Sequence, residues 1–534
     1  MERPGSLLVS LLGTISVWCS FLQLSLAAAD PSVWRQQVIY LVMTDRFENG
    51  DSANDTLGAA ECFDPNSPTK FHGGDWAGLS QRVDYLKELG VTAVWVTPAY
   101  QQVGRIGSVD NASCGYHGYW PDFTMPNTIA VEPKLGGDTA LNHLSRTLQD
   151  NGLKFILDQV VNHAGYNARI ISQEPSWFNP SRPLCEALGN PTIFCDLAGL
   201  PDFDFRNGAT VQYMTQQSVG WIEQFALDGV RLDTAKHVPL NYLQNTWIPL
   251  MNQTQPDIFL VGEILDQHSI ERLKPFFNAG FDSVFNFPLQ KAMVETFAKG
   301  RSVDRIASQI QATLAAFGSR SLMLTNLLDN HDLTRFIHEP GFGVSEDQIR
   351  RRYHLALGSL FTLPGIPQLY YGNEIGMYGG SDPDNRRDMP DWAWTSAGRS
   401  LGGSGFLPNP QATFGYVQKL IQIRKSNPAL HSGYYAEMQR QNGPQNLDVY
   451  AFFRGLGDNR MIIIINNSTL PSRLLTIPVQ ANLAIESIDR LALADGGVLE
   501  DLLEIGAPPT ITIKDSELRV DMPTKTIGIY RLRQ

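Results

Sequence analysis

The sequence predicts a parallel (β/α)8 barrel with an inserted subdomain after its third strand and a C-terminal antiparallel β-sandwich. Three observations predict it. Eight short apolar runs are spread over residues 38–371. Helix-length amphipathic segments separate most of them. From about Gly433 onward only short strand-like runs remain. Strands alternating with helices over such a length are the pattern of a closed parallel barrel.

The eight runs are residues 38–43, 93–96, 155–157, 229–232, 258–261, 284–287, 322–328 and 368–371. They are continuous rather than alternating, as strands covered on both faces require. Between them, residues 79–89 place Leu79, Val83, Leu86 and Leu89 on one helical face, and residues 211–225 and 348–363 follow the same period. Two stretches break the rhythm. Residues 98–137 are rich in Gly, Pro, Tyr and Asn, and residues 164–208 carry Pro175, Pro180, Pro183, Pro191 and Pro201. Both read as long connections on the C-terminal face of the barrel, the second as an inserted subdomain. Past Gly433, residues 449–453, 461–466, 474–477, 510–513 and 526–530 read as strands with turns between them. The predicted organisation is a leader at 1–29, a barrel unit at 30–432 and an all-β domain at 433–534.

The leader follows from Arg3, an apolar run over residues 7–29, and the small residues Ala27 and Ala29 before Asp30. That is a secretory signal peptide cut after Ala29. An uncleaved anchor is the other reading of so long a run. Cys19 leaves with the leader, and Cys62, Cys114, Cys185 and Cys195 remain. An even count in an exported chain predicts two disulfides. Three connectivities are open; the local pair Cys185–Cys195, with Cys62–Cys114 as the remainder, is the choice made here. No later run approaches a membrane span.

The 534 residues are 43% hydrophobic and 18% charged, an ordinary globular composition. Lys and Arg number 42 against 54 Asp and Glu, a net charge of −12. That acidity argues against nucleic acid as a partner and suits a neutral substrate or a cation. A monomer suffices for everything read here.

Carboxylates fall at the strand ends. The third run ends in Asp158, the fourth in Asp233, the fifth in Glu263, and the seventh runs through Asp329 to Asp332. A barrel gathers those ends around one mouth. Any single one reads equally as a cap or salt bridge, but several buried carboxylates at one mouth are costly unless used. Two such groups can run retaining glycoside hydrolysis, one as nucleophile and one as a proton donor whose pKa is raised. Glu263 follows an apolar run, which favours the proton donor. Arg231 lies two residues before Asp233 on the same strand face, which favours an ionised nucleophile there.

Residues 158–163 (DQVVNH), 229–237 (GVRLDTAKH), 261–264 (VGEI) and 329–332 (DNHD) now carry a resemblance. With 90–98 (GVTAVWVTP), 200–204 (LPDFD) and 365–374 (GIPQLYYGNE), the chain resembles the α-amylase family of glycoside hydrolases, family 13, over residues 31–534. The resemblance implies Asp233 as nucleophile, Glu263 as general acid/base and Asp332 as transition-state stabiliser. It implies a substrate site formed by His117, Tyr119, His163, Arg231, Lys236, His237, His331, Asp382 and Arg386. It implies calcium at Asn162, Asp202 and the main-chain carbonyl of His237, where oxygen ligands are on offer. A second calcium site is implied at Asn49, Asp51, Asn54, Asp55, Gly73 and Asp75, a segment that also reads as an Asx-rich turn. The expected activity is a secreted, retaining endo-hydrolase of α-1,4-glucan, an α-amylase. The alternatives are a maltogenic or cyclodextrin-cleaving hydrolase or a glucanotransferase of the same family, and, further off, a non-catalytic binding barrel. Asn54, Asn111, Asn252, Asn466 and Asn467 sit in glycosylation sequons.

Overall fold

A computed structural model describes residues 28–108, 112–443, 447–469, 474–479 and 493–533. The leader expected at residues 1–29, apart from its last two residues, lies outside these, as do Cys19 and Asn111. Eight parallel strands form the first sheet: β1 (Ile39–Val42), β2 (Ala93–Val96), β3 (Lys154–Gln159), β4 (Gly229–Leu232), β5 (Phe259–Gly262), β6 (Ser283–Val284), β7 (Thr325–Leu327) and β8 (Ile366–Tyr370). Neighbours pair in the order β6-β5-β4-β3-β2-β1-β8-β7. The ring closes through one parallel bridge, Phe285 to Thr325, with the Asn286 N–H donating to the Thr325 carbonyl at 2.8 Å. Every residue of β1, β2, β4 and β5 is buried, which explains their unbroken apolar character.

The surrounding helices are α1 (Trp76–Gln81), α2 (Val83–Leu89), α3 (Gly137–Asp150), α4 (Gly208–Phe225), α5 (Ile248–Thr254), α6 (Lys274–Ala279), α7 (Phe287–Met293), α8 (Asp304–Phe317), α9 (Glu346–Thr362) and α10 (Pro410–Ser426). Two differ from the sequence reading. The helix expected over 79–89 is broken at Arg82, whose ψ of 11° leaves the helical range. Phe287, read as the end of a strand, instead opens α7. Asn286 caps it by accepting from the Leu289 N–H at 3.3 Å, and Pro288 sits in the first turn, the signals of a helix start.

The inserted segment is held by short helical turns and the bridges His163–Asp202 and Phe178–Phe203. Disulfides join Cys62 to Cys114 and Cys185 to Cys195. The first ties the loop after β1 to the loop after β2; the second closes the inserted segment on itself.

The last part is antiparallel, in the order β12-β15-β14-β13-β16-β11-β10-β9. Its strands are β9 (Tyr434–Gly443), β10 (Leu447–Leu456), β11 (Asn459–Asn466), β12 (Leu474–Pro478), β13 (Val498–Asp501), β14 (Thr510–Lys514), β15 (Glu517–Asp521) and β16 (Thr526–Leu532). Alternation divides β10 and β11 between two cores. Val449, Ala451, Phe453, Ile462 and Ile464 face the domain's own interior, while Tyr450, Phe452, Ile463 and Ile465 face the barrel. The domain is thereby fixed to α9, where Ile527 packs against Gly358, its Cδ1 2.7 Å from where a Cβ would stand.

The sequon residues Asn54, Asn252, Asn466 and Asn467 are all buried. Asn54 donates to Asp75 at 2.7 Å and Asn466 to the Met522 carbonyl at 2.8 Å, so neither amide is presented for modification. No described helix is long and apolar enough to cross a membrane.

Candidate active site

A cavity of about 450 Å3 opens at the C-terminal ends of the strands. His117, Tyr119, His163, Asp233, Lys236, His237, Glu263, His331, Asp332, Asp382 and Arg386 all line it. Arg231, placed by resemblance at the same site, lies beneath its floor with no exposed surface.

Arg231 organises that floor. Its Nη1 donates to Asp158 at 2.9 and 3.0 Å and to Asp233 Oδ1 at 2.7 Å. Its Nη2 stands 2.9 Å from Glu263 Oε1 as an ion pair without hydrogen-bond alignment. Asp158 is no open carboxylate of the mouth. It is buried and also accepts from Trp95 Nε1 at 3.1 Å and the Tyr119 hydroxyl at 2.8 Å. Its work is to anchor Arg231 and Tyr119. Asp329 is likewise committed, accepting from the Phe336 N–H at 2.6 Å and from Asn373 at 3.0 Å. That leaves Asp233, Glu263 and Asp332 as the strand-end carboxylates facing the cavity.

The backbone after β4 aims two of them. Thr234 takes φ +47°, costly for a β-branched residue. In that turn its N–H donates to Glu263 Oε2 at 2.9 Å, and its hydroxyl donates to Asp233 Oδ2 at 3.1 Å. Burial pushes the Glu263 carboxyl up to about 7; Arg231 opposes this, and the charges of Asp233 and Asp332 add to it. Asp332 behaves oppositely. Burial would raise it, but His331, Arg386 and Arg231 together hold it below its ordinary value. Burial takes His331 itself down to about 3, so near pH 7 its ring is neutral. Its Nε2 stands 3.2 Å from Asp332 Oδ2 without hydrogen-bond alignment, and the charge holding Asp332 ionised comes from the two arginines.

Tyr119 stacks on His331 with 5.0 Å between ring centres and 5° between planes. Gly118 makes this possible. At φ +90°, with the Pro98 carbonyl 2.3 Å from where a Cβ would stand, no other residue fits. The Tyr119 N–H donates to His117 Nδ1 at 3.0 Å, which leaves His117 Nε2 as the ring's donor. Arg386 donates from Nε to the His331 carbonyl at 2.9 Å, pairs with Asp382 at 3.1 Å and reaches Asp332 at 3.5 Å. Lys236 donates to the Leu265 carbonyl at 3.1 Å on the opposite wall.

The motifs revealed only part of the walls. Thr234, Trp120, Tyr166, Leu197, Ala198, Leu200 and Leu265 complete the lining, of which Thr234 and Leu200 lie within the motifs. Arg335 and Asn385 brace it from behind. Arg335 donates to the carbonyls of Asn385 at 2.9 Å and Tyr371 at 2.8 Å, and Asn385 donates to the His331 carbonyl at 2.8 Å. Only its polar type inside apolar surroundings hinted at Asn385.

Asn162 and Asp202 meet beside the cavity, the amide donating to Asp202 Oδ1 at 3.0 Å. Asp202 Oδ2 is buried with no partner, and burial pushes this carboxyl up to about 8. A buried carboxylate with an idle oxygen suits a hard cation. The His237 ring turns away, its Nδ1 2.9 Å from the Thr192 carbonyl, so only its main chain is available there. In the second cluster Gly73, at φ +101°, lies against Asn49 and Asp55. Burial, with Asp75 and Asp51 nearby, raises Asp55, and Asn54 Oδ1 is buried and unpartnered. Asp75 is held within its own loop. It accepts from the N–H groups of Gly50, Asp51 and Gly78 at 3.0, 2.9 and 2.6 Å besides Asn54, and so serves as the loop's anchor. Among the described residues, no three His, Cys, Asp or Glu side chains are gathered as a metal site.

A family model described as the α-amylase catalytic domain matches residues 41–182 and 192–400. The chain belongs to the α-amylase family of glycoside hydrolases. It is similar to the β/α-amylase of Paenibacillus polymyxa, 30% identical over 82% of this chain but only 34% of that protein's length. It is similar to a cyclomaltodextrinase of Thermoanaerobacter pseudethanolicus, 29% identical over 81% of this chain and 70% of the relative. Among solved structures, an Anoxybacillus α-amylase superposes with a TM-score of 0.77 at 28% identity, covering 93% of this chain and 98% of the other. This member of the α-amylase family is a glycosidase whose substrate is a carbohydrate.

Proposed function

We propose that the chain is a retaining α-1,4-glucan endo-hydrolase, an α-amylase, with Asp233 as nucleophile and Glu263 as acid/base. The observation that carries this is the single guanidinium of Arg231 touching both carboxylates, at 2.7 and 2.9 Å, with Glu263 raised by burial to about 7. One planar group spanning both keeps them close, as the retaining geometry of about 5–5.5 Å needs. Asp233 attacks the anomeric carbon as Glu263 gives its proton to the leaving glycosidic oxygen. Glu263 then takes a proton from water, which breaks the glycosyl ester and releases Asp233. Asp332 and His331 hold hydroxyls of the distorted ring, Tyr119 and His117 support it beside His331, and Arg386 and Asp382 hold the preceding sugar. Lys236, with the His237 side of the wall, lies on the leaving-group side.

Calcium at Asn162, Asp202 and the His237 carbonyl would neutralise the buried carboxylate and pin the inserted segment beside the cavity. The Asn49–Asp55 loop with Gly73 is the second candidate. We assign the chain to the secretory route on its N-terminal run, which the two disulfides support, since they belong to an oxidising compartment.

A second reading draws similar support. Relatives of comparable identity are named cyclomaltodextrinase, neopullulanase and cyclomaltodextrin glucanotransferase. The same carboxylates serve hydrolysis and transfer, and the difference is which hydroxyl reaches the glycosyl ester. Sizing the products from soluble starch, maltooligosaccharides and cyclodextrins separates the two. Mixed oligosaccharides from starch support the α-amylase. Preference for cyclodextrins, or products longer than the substrate, supports the alternatives.

A further inference from the structure

The cavity does not end at Asp332. On the other side of that residue lies a groove of about 270 Å3, lined among others by Gln267, Lys291, Thr334, Glu339 and Ser381, with Asp332 as the wall common to both. The main cavity takes most of its lining from the loops after β2 to β5. The groove is built on the loops after β5, β7 and β8 and on α7 with its continuation, so the two depressions occupy adjoining arcs of one mouth. The groove's lining is polar and internally tied. Gln267 donates to Gln290 at 2.8 Å, and Lys299 pairs with Glu295 and Glu339, each at 3.3 Å. Such a wall suits a ligand covered in hydroxyl groups.

An aromatic tip follows. Past Glu339 the chain turns, the Gly341 N–H donating to the His338 carbonyl at 3.3 Å. Gly341 and Gly343, at φ +75° and +84°, bracket Phe342. Phe342 is 110% exposed and adds nothing to the core. It lies three positions past Glu339, at most about 10 Å of chain. A Phe held outward between two glycines offers a bare ring face, the partner that the apolar face of a sugar ring takes.

We propose that the groove and Phe342 form an extended subsite that holds a further stretch of the glucan whose cleaved bond lies in the main cavity. This rests on the α-glucan reading above. Continuity through Asp332 selects the occupant: a chain bound at the catalytic carboxylates has a polar path past them, and the Phe342 ring is carried on the same loop as the groove residue Glu339.

The test compares KM for maltotriose and for long-chain amylose in wild type, Phe342→Ala and Phe342→Trp. Phe342→Ala is expected to raise the amylose-to-maltotriose KM ratio about 2- to 10-fold, the range of one aromatic stacking contact. Phe342→Trp is expected to restore the wild-type ratio. An unchanged ratio in Phe342→Ala overturns the subsite. Equal losses on both substrates overturn it too, because they mark a structural role. A wild type inert on both glucans would instead sink the α-glucan reading and the subsite with it.

Discussion

Asp202 offers a prediction whose sign reverses with calcium. In the folded chain its carboxyl is raised from 3.8 to about 8, because burial penalises the charge more than the Leu197 backbone and the Asn162 amide offset it. A carboxyl raised on folding holds its proton more tightly in the native state, so native stability falls as pH rises from about 4 towards 8. At about 1.4 kcal/mol per pH unit, the cost at pH 7 is about 4 kcal/mol when no cation is bound. Asp202→Asn keeps the shape and the acceptor for Asn162 while removing the charge. In chelator at pH 7 it is therefore expected to be more stable than wild type, by up to about 4 kcal/mol. With calcium in excess the order reverses, because wild type gains a ligand-bound state that the variant has lost. The assay is urea denaturation of both proteins, each with calcium and with chelator. A variant less stable than wild type by the same amount in both conditions would refute the reasoning, since the carboxylate would then be stabilising without a cation.

Other expectations follow from the same geometry. With Glu263 at about 7, activity should fall as pH rises through that value and the acid loses its proton; a kcat/KM profile checks this. In Asp332→Asn the residual activity should lose its alkaline limb at lower pH, because the like charge that helps raise Glu263 is gone. Arg231→Lys should lower kcat by about 10²-fold or more, since one ammonium cannot span Asp158, Asp233 and Glu263 as the guanidinium does. Reducing the disulfides should cost about 4 kcal/mol for Cys62–Cys114, separated by 52 residues, and about 3 for Cys185–Cys195, separated by 10. Denaturation of the two paired Cys→Ser variants reads the difference.

The barrel was legible because its strands are buried on both faces, and buried parallel strands are unbroken apolar runs. Where composition carries less contrast, the reading thinned. Glu517–Asp521 alternates buried Leu518 and Val520 with exposed charges, and Val498–Asp501 is short and half-exposed, so neither stood out from a turn. Val284 and Phe285 ran on into Phe287 in hydropathy, but the capping asparagine and following proline decided the helix. At the site, the residues of the motifs converged as expected because strand ends converge in a barrel. Position along a strand did not separate Asp158, sealed by three donors, from Asp233, open to the cavity. That distinction depends on Trp95 and Tyr119, which come from a neighbouring strand and its loop. Asp75 accepts from four N–H groups that its own sequence position does not announce. Local sequence does not count donors that arrive from elsewhere.

The most direct test of the central claim is proton NMR of maltopentaose hydrolysis, read before the product anomers equilibrate, with Glu263→Gln run beside wild type. The account predicts new reducing ends that appear first as the α-anomer, the configuration of the cleaved bond, and a loss of at least about 10³-fold in the variant. New ends that appear first as the β-anomer, or a variant as active as wild type, would contradict it.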